Sequence, residues 1–495
     1  MNTPVSEKSI FAKIKEAASH TLIYGLGSVL QTALGFILIP LYTRYYSTDM
    51  YGTLALITIC GSLAGSVFYL GASSALSRSY FDYEEGPERK KVISTSLYLS
   101  LIGAAAQILL GFLFKEKLSL LLFNTEAYSL HIFIVLISSA LTFLNGLFYI
   151  LLRFERKSKQ VVIMNIVSLI TSVSLITSFL IIFKLGIMAP ILGQFINQIL
   201  LFVIMFYLTK ESFVLAYSKL ELKTQLQFGL PTIFVGLSTY LLTSIDRFLL
   251  NKFCTLNDVG VYSLGFLLGS SINVLFITPF GQIWAPMRME YRKDTNAQDL
   301  YKLMLTYYFI IGLFVTIGVS IFSKEILMLI SGRPEYIVAY KIVPIVMMAF
   351  LVYGVVGIID NGIYFARKIS YHAYIFWSCV IVNWIFNYTL IPIFGYMAAA
   401  YNILLTFSIV VSLVFILSNR LYKIHWEPVR LAKIFISSGL VLLTGLTLIN
   451  GDLIKVILVK SALIIALVAF WYTFVLNTKE KVKILSILRW RACQS

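Results

Sequence analysis

Long apolar runs recur along almost the whole chain, from His20 to Asn477, and most reach the roughly 18 residues that a helix needs to cross a bilayer. A membrane β-barrel would instead show segments of about ten residues with alternating polarity. Only 13% of the 495 residues are charged, whereas an average soluble domain carries about 25%. The sequence therefore predicts an all-α polytopic membrane protein.

The apolar runs divide into about 14 candidate transmembrane helices, and the connections between them are too short to hold a folded domain. The candidate spans are 20–43, 52–77, 92–114, 127–152, 161–183, 187–209, 227–250, 259–286, 300–322, 337–364, 371–392, 396–419, 431–450 and 454–476. Two weaker regions, 115–126 and 323–336, leave room for a miscount by two helices.

Landmarks in the first half of the chain recur at nearly constant spacing in the second half. The matched pairs are Tyr51-Gly52 with Val259-Gly260, Arg78 with Arg288, Arg156-Lys157 with Arg367-Lys368, and Gly186 with Gly395. Chance self-matching among many apolar helices is the alternative. The repeat predicts two parallel six-helix bundles, related by an axis along the membrane normal, plus two additional helices. The predicted segments are an N-terminus 1–19, a bundle 20–210, a linker 211–226, a bundle 227–419, the two additional helices 431–476, and a tail 477–495.

The net charge of +17 would suggest a nucleic-acid partner if the chain were soluble. Here most of the 40 basic residues fall in alternate loops, which is the pattern that orients membrane helices with their basic loops in the cytoplasm. The sequence therefore predicts that both termini are cytoplasmic and that no nucleic acid is bound.

Arg78 and Arg288 end the second span of their respective halves, on the predicted cytoplasmic side. Two guanidinium groups at the inner mouth of a cleft would suit a phosphate group, because the planar fork makes bidentate hydrogen bonds and stays charged. The alternative is that both are ordinary cytoplasmic arginines that only orient the helices.

Asp246 and Arg247 form an adjacent charged pair inside the seventh span, where charge is costly. The pair could be a structural ion pair, a gate or a substrate contact, and Arg247 could instead extend to the membrane surface. Arg44 adds a positive charge at the same predicted outer end. Leu38-Ile39 occupy the equivalent positions of the first half, so the pair is confined to one half.

Asp360, late in the tenth span, is a candidate proton or sodium site, or a partner for Arg367. Gln31, Asn273 and Gln282 are polar residues of the first and eighth spans. They could contact sugar hydroxyl groups or form hydrogen bonds between helices.

No motif for catalysis or for a cofactor occurs. The chain has no Walker A loop, HExxH or GxSxG sequence, and its four cysteines are widely separated. We therefore predict no catalytic residue, no metal site and no cofactor.

Two stretches resemble a known family. The stretch GLPTIFVGLSTYLLTSIDRFLLNKF, followed by DVGVYSLGF, resembles the start of the second half of bacterial polysaccharide flippases, and DRF is its most characteristic part. The stretch YGLGSVLQTALGFILIPLYTRYYSTDMYGTLAL is similar to the family's first span and loop. The likeness covers essentially the whole chain. By this resemblance the chain is identified as a member of the O-antigen, capsule and exopolysaccharide exporters of the multidrug/oligosaccharidyl-lipid/polysaccharide (MOP) superfamily.

The resemblance implies a MATE/MurJ-like fold and an inner-membrane flippase. Such a protein moves undecaprenyl-pyrophosphate-linked oligosaccharide to the outer leaflet by alternating access. A cationic cleft that holds the pyrophosphate is also implied, which makes Arg44, Arg78, Arg247 and Arg288 candidate contacts. The implied partners are the lipid-linked glycan and membrane lipids, with a proton or sodium ion and other polysaccharide assembly proteins as further candidates.

Two other functions are alternatives. A cation-coupled multidrug exporter of the same superfamily should carry an acidic residue in the middle of the first or seventh span. The first span has only Gln31 there, and Asp246 lies near an end of the seventh. A membrane-embedded glycan polymerase usually needs a large outer loop with catalytic groups, and the predicted outer loops are short.

Overall fold

The computed structural model describes residues 34–293, 297–366, 368, 370–447, 453–478 and 480–481, and these ranges are helical with short connections and no strand. Thirteen helices in these ranges are long and apolar enough to cross a membrane. The first predicted span, 20–43, lies largely outside the described residues. The predicted fold class is confirmed, and the chain is an all-α polytopic membrane protein.

The helices carry the labels α1 to α19 in chain order. They are α1 Ile39–Tyr45, α2 Thr48–Phe68, α3 Ala72–Ser79, α4 Pro87–Phe123, α5 Ser129–Phe154, α6 Ser158–Ile181, α7 Met188–Thr209, α8 Lys219–Phe253, α9 Leu256–Gly269, α10 Thr278–Glu290, α11 Ala297–Ile321, α12 Ser323–Ile330, α13 Val343–Gly354, α14 Val356–Ile359, α15 Asn361–Phe365, α16 Ser370–Phe394, α17 Tyr396–Leu421, α18 Pro428–Thr447 and α19 Leu453–Phe474.

Packing groups the chain into two compact units. Unit 1 contains the residues up to Leu267, Ile330–Tyr336 and Ser370–Ile403, and unit 2 contains Leu268–Leu329, Ile337–Ile369 and the residues from Leu404 onward. The boundaries of the two predicted bundles, 20–210 and 227–419, stay predictions. Half of the predicted linker 211–226 is α-helical, because α8 begins at Lys219 and continues into the seventh span.

In unit 1, the second span is interrupted between α2 and α3. Leu70 and Gly71 both have left-handed backbone angles, with φ of 54° and 65°. Such a conformation costs a non-glycine residue about 1–2 kcal/mol. Gly71 packs directly against Gly229 of α8, where a Cβ atom on Gly71 would lie 2.6 Å from the Gly229 carbonyl carbon. Close backbone packing therefore holds this break in place.

In unit 2, two spans depart from regular α-helix. A π-helical segment, Asn273–Ile277, precedes α10, and the tenth span is broken at Val355 and again at Asp360. Carbonyl groups released at such breaks need partners inside a membrane. The Tyr308 hydroxyl donates to the Leu351 carbonyl at 2.8 Å. The indole nitrogen of Trp284 donates to the Gly357 carbonyl at 2.9 Å.

Ion pairs fix the last two helices within unit 2. Lys460 of α19 is only 1% exposed, and its Nζ lies 2.6 Å from the Oε1 of Glu325 on α12. Arg430 of α18 donates to Glu480 at 2.5 Å, and the Tyr307 hydroxyl of α11 donates to the same carboxylate at 3.1 Å. The last helix is therefore attached to α12 by a buried ion pair. The Glu480 carboxylate that follows it is joined to α18 by an ion pair and to the ninth span by a hydrogen bond.

Candidate functional site

Gly52 and Gly260, which the predicted repeat matches with each other, lie against each other in unit 1. A Cβ atom on Gly52 would lie 2.9 Å from the Gly260 amide nitrogen, and one on Gly260 would overlap the Thr48 carbonyl oxygen. The first turns of α2 and α9 therefore approach to backbone contact. Both positions require glycine for this steric reason.

Four tyrosines, Tyr42, Tyr46, Tyr51 and Tyr336, form a tyrosine cluster at the same end of unit 1. Tyr42 and Tyr46 stack with ring centroids 5.5 Å apart, and Tyr336 meets the Tyr51 ring edge-on at 6.1 Å. The Tyr336 hydroxyl donates to the main-chain carbonyls of Tyr46 and Ser47, which follow the last turn of α1. Burial raises the pKa of Tyr336, so this donor keeps its proton.

The segment Ile330–Tyr336 also contacts α1 through Thr43 and Arg44. The Thr43 hydroxyl lies 3.3 Å from the Ile330 carbonyl, and the Gly332 Cβ position would be 3.0 Å from the Arg44 Cβ atom. Arg44 itself is exposed. This end of unit 1 thus joins residues of the first half, at 42–52, to residues of the second half, at 256–260 and 330–336.

Asp246 and Arg247 form a buried ion pair on α8. The Arg247 Nη1 lies 3.0 Å from the Asp246 Oδ1, and the two side chains are 6% and 4% exposed. The Tyr262 hydroxyl donates to the other Asp246 oxygen. The Arg247 guanidinium lies 3.8 Å from the centre of the Phe266 ring. Arg247 is held inside the protein and does not extend to the membrane surface, which removes one of the three sequence interpretations.

Arg288 and Asp360 meet in unit 2, a pairing that sequence reasoning did not find. The Arg288 Nη1 lies 2.6 Å from the Asp360 Oδ1 and 3.0 Å from the Gly357 carbonyl oxygen. The side chains are 11% and 13% exposed. The ring of Tyr364 covers the guanidinium at 4.2 Å. Asp360 therefore neutralises the positive charge of Arg288 at the second break of the tenth span. Arg367, the partner that the sequence predicted for Asp360, lies outside the described residues.

Arg78, the sequence equivalent of Arg288, has different surroundings. It is exposed on α3, and its guanidinium lies 5.1 Å from the centre of the Phe228 ring. It makes no ion pair with any described residue. Arg78 and Arg288 belong to different compact units, so the structure provides no test of the predicted pairing across a cleft.

The polar candidates are less informative. The Asn273 side chain donates to the Ser270 carbonyl of its own helical segment at 3.1 Å. Gln282 is half-buried on α10, and Gln31 lies outside the described residues. No group of three His, Cys, Asp or Glu side chains within the described ranges is placed to hold a metal ion.

Sequence reasoning missed the tyrosine cluster, although one signal was present. Three of its members fall within residues 40–52, at spacings that place Tyr42 and Tyr46 one helical turn apart. Tyr336 lies far away in sequence and carried no signal of its own.

Comparisons with known proteins agree with this architecture. A profile of the family described as polysaccharide biosynthesis protein matches residues 17–292. No curated protein sequence matched the chain.

Among solved structures, the lipid II flippase MurJ in an inward closed conformation is 17% identical, with a TM-score of 0.74 over 91% of this chain and 99% of MurJ. An inward-facing MATE multidrug resistance transporter of the MOP superfamily is 15% identical, with a TM-score of 0.63 over 79% and 94% of the two chains. A mutant of the Vibrio cholerae MATE transporter VcmN is 13% identical, with a TM-score of 0.57 over 82% and 96%. These likenesses establish the fold.

Proposed function

We propose that this chain, which belongs to the polysaccharide biosynthesis protein family, is a flippase for lipid-linked oligosaccharides. Its substrate would be a repeat unit of an O-antigen, capsule or exopolysaccharide on undecaprenyl pyrophosphate. The family match combined with the MOP superfamily fold carries the proposal. Transport would run from the inner to the outer leaflet of the cytoplasmic membrane, with both termini in the cytoplasm.

The headgroup of such a substrate is a diphosphate, and arginine is the side chain best suited to bind it. Arg78 is exposed at the predicted cytoplasmic end of the second span and has no acidic partner among the described residues. It is the candidate for first contact with the diphosphate. Arg288 and Arg247, each already paired with an aspartate, are candidates for later contacts, and Arg44 is a candidate at the predicted outer end.

Alternating access requires one end of the protein to close while the other opens. The contacts among the tyrosine cluster, Gly52, Gly260 and Gly332 support a closed outer end in this conformation. We infer that these contacts are the outer gate, and that Asp246 and Arg247 stabilise it from within unit 1. Asn273, Gln282 and Gln31 remain candidate sugar contacts.

A cation-coupled multidrug exporter is the second candidate, because MATE transporters share the fold. An exporter of this type needs a carboxylate that can bind a cation. Asp246 and Asp360 are both engaged by arginine in this conformation, which favours the flippase. Asp360 remains a candidate coupling site for a proton or sodium ion. Other polysaccharide assembly proteins are candidate partners, and a glycan polymerase is the least supported alternative.

Deleting the gene tests the proposal. The flippase function predicts that surface glycan disappears while lipid-linked repeat units accumulate in the inner leaflet, and that the intact gene restores display. Normal surface glycan together with increased sensitivity to drugs would instead support the exporter.

A further inference from the structure

The segment 213–220 connects α7 to the first turn of α8, and α4 holds its backbone in place. The Val214 amide donates to the Ser94 hydroxyl at 2.8 Å, and the Ser218 amide donates to the Thr95 hydroxyl at 3.1 Å. The two acceptors are neighbouring residues of one helix. This connecting segment is therefore fixed within unit 1, and the directions of its side chains are set by the attachment.

The polar side chains that follow the connecting segment are directed into the protein. Glu221 is 7% exposed, and its Oε1 accepts from the Tyr83 hydroxyl at 2.7 Å. Gln225, one turn further along α8, is fully buried, and its Oε1 accepts from the Ser96 hydroxyl at 3.0 Å. In a segment that faces water, such polar groups lie mostly on the outside. Here they serve as internal hydrogen-bond partners.

The large apolar side chains of the connecting segment point outward. Leu215 is fully exposed, Leu220 is 72% exposed and Tyr217 is 56% exposed. Single exposed apolar residues are common, whereas a contiguous group of them marks an interaction surface. With polar groups inside and apolar groups outside, the segment has the reverse of the arrangement expected in water. An apolar environment outside the protein would remove this mismatch.

Positive charge surrounds the apolar side chains. Exposed lysines that make no ion pair with any described residue are Lys210, Lys219 and Lys223, and Glu211 is an exposed acidic residue beside them. The Lys210 Nζ lies 4.2 Å from the centre of the Tyr207 ring. Because α7 and α8 are both candidate membrane spans, the segment between them lies at a membrane surface. Leucine and tyrosine flanked by lysine suit the boundary between the headgroups and acyl chains of anionic lipids.

We propose that the connecting segment, with its flanking lysines, is a binding site for anionic phospholipid. Leu215, Tyr217 and Leu220 lie among the acyl chains next to the headgroups, while Lys210 and Lys223 contact headgroup phosphates. Because the same segment is tied to α4 and continues into α8, bound lipid holds the first turns of α8 against α4. The site is separate from the candidate substrate contacts and does not depend on the proposed flippase function.

The first test attaches a spin label to Leu215→Cys in the full-length chain, in a background without the native cysteines. The matched control is the label on Glu85→Cys, because the Glu85 side chain is 94% exposed in the loop before α4. Collision rates with oxygen and with a water-soluble nickel chelate are measured in phosphatidylcholine vesicles with and without phosphatidylglycerol. We expect the oxygen-to-nickel ratio at position 215 to exceed that at position 85 at least about threefold, and to rise further with phosphatidylglycerol.

The second test measures how added phosphatidylglycerol raises the melting temperature of the purified chain in detergent. Lys210→Gln/Lys223→Gln should increase the phosphatidylglycerol concentration for half-maximal stabilisation at least about fivefold, because two headgroup contacts are lost. Lys117→Gln/Lys184→Gln removes two other exposed lysines of unit 1 and should behave like the unmodified chain. All four positions are exposed, so both double variants should fold normally.

Equal accessibility ratios at positions 215 and 85 in both kinds of vesicle would overturn the inference. An unchanged phosphatidylglycerol dependence in Lys210→Gln/Lys223→Gln would do so as well. A label at position 215 that both probes fail to reach in native membranes, but that the nickel chelate reaches in vesicles, would assign the surface to a protein partner instead. The gene-deletion experiment tests the proposed function separately, and normal glycan display would leave the lipid site standing.

Discussion

Gly52 and Gly260, which the predicted repeat matches with each other, touch backbone to backbone in the folded chain. The predicted repeat matches the two positions in sequence, and the structure shows that they are also in contact. Because neither position has room for a Cβ atom, this contact can be tested by adding a single methyl group.

Gly260→Ala should weaken the closed outer end, because its Cβ atom would overlap the Thr48 carbonyl. Overpacking of this kind costs about 1–3 kcal/mol. In a background without the native cysteines, a cysteine at Thr48, which is 2% exposed, should react with an impermeant maleimide several-fold faster when Gly260→Ala is present. Gly236→Ala is the control, since no described atom beyond the adjacent part of its own helix lies within 4 Å of its Cβ position. Equal labelling in the two backgrounds would count against the gate.

Removing one partner of the Asp246–Arg247 pair should lower stability strongly, whereas replacing both residues together should change it little. Removing one partner of a buried pair costs about 3–5 kcal/mol, whereas replacing both with apolar residues is often neutral. Asp246→Leu alone should therefore lower the melting temperature in detergent. The double variant Asp246→Leu/Arg247→Ile, which copies Leu38-Ile39 of the first half, should recover most of the stability while losing glycan export. A double variant that exports normally would make the pair purely structural.

Replacing Arg78 should lower transport but change the stability of the protein little. Its side chain is exposed and has no acidic partner among the described residues, so Arg78→Gln should change the unfolding free energy by no more than about 0.5 kcal/mol. Export should fall strongly, and Arg78→Lys should restore it only partly because lysine lacks the bidentate fork. Lys219→Gln, another exposed basic residue predicted to be cytoplasmic, is the control. Normal export by Arg78→Gln would show that Arg78 only orients its helix in the membrane.

The Lys460–Glu325 pair should attach the last helix to α12. Lys460→Met leaves the Glu325 carboxylate, which is 13% exposed, without its cationic partner. It should destabilise the protein by about 3 kcal/mol. Adding Glu325→Gln should restore most of that loss. Thermal unfolding of the single and double variants measures the coupling, and additive effects of the two substitutions would show that the pair contributes nothing.

Sequence reasoning identified the membrane spans because long apolar runs are a local pattern of the sequence. The two-half repeat, inferred from the spacing of matched residues, stays a prediction. It flagged Arg288 and Asp360 separately but missed their contact, since nothing in a single sequence links residues on different helices. The break at Leu70–Gly71 was also missed. The predicted span 52–77 continues through this break, because its cause is backbone contact with Gly229 of a helix that is distant in sequence. The candidate roles of Arg44, Asn273 and Gln282 stay predictions.

The proposed transport cycle depends most directly on the outer gate opening while the glycolipid is moved. Arg44 and Gly332 offer a way to lock it, because their Cβ positions would be 3.0 Å apart. A backbone shift of about 0.5–1 Å would bring two cysteines there into the roughly 3.5–4.5 Å range of a disulfide. Arg44→Cys/Gly332→Cys, again without the native cysteines, should form a reversible cross-link. The reduced double variant and the oxidised Arg44→Cys single variant are the controls.

The decisive measurement is the amount of lipid-linked oligosaccharide that reaches the outer leaflet in oxidised and in reduced membranes. The proposed cycle predicts that oxidation of the double variant stops delivery, that reduction restores it to the level of Arg44→Cys alone, and that oxidation leaves the single variant unchanged. Undiminished delivery by the fully cross-linked protein would contradict a gate at this end of the protein.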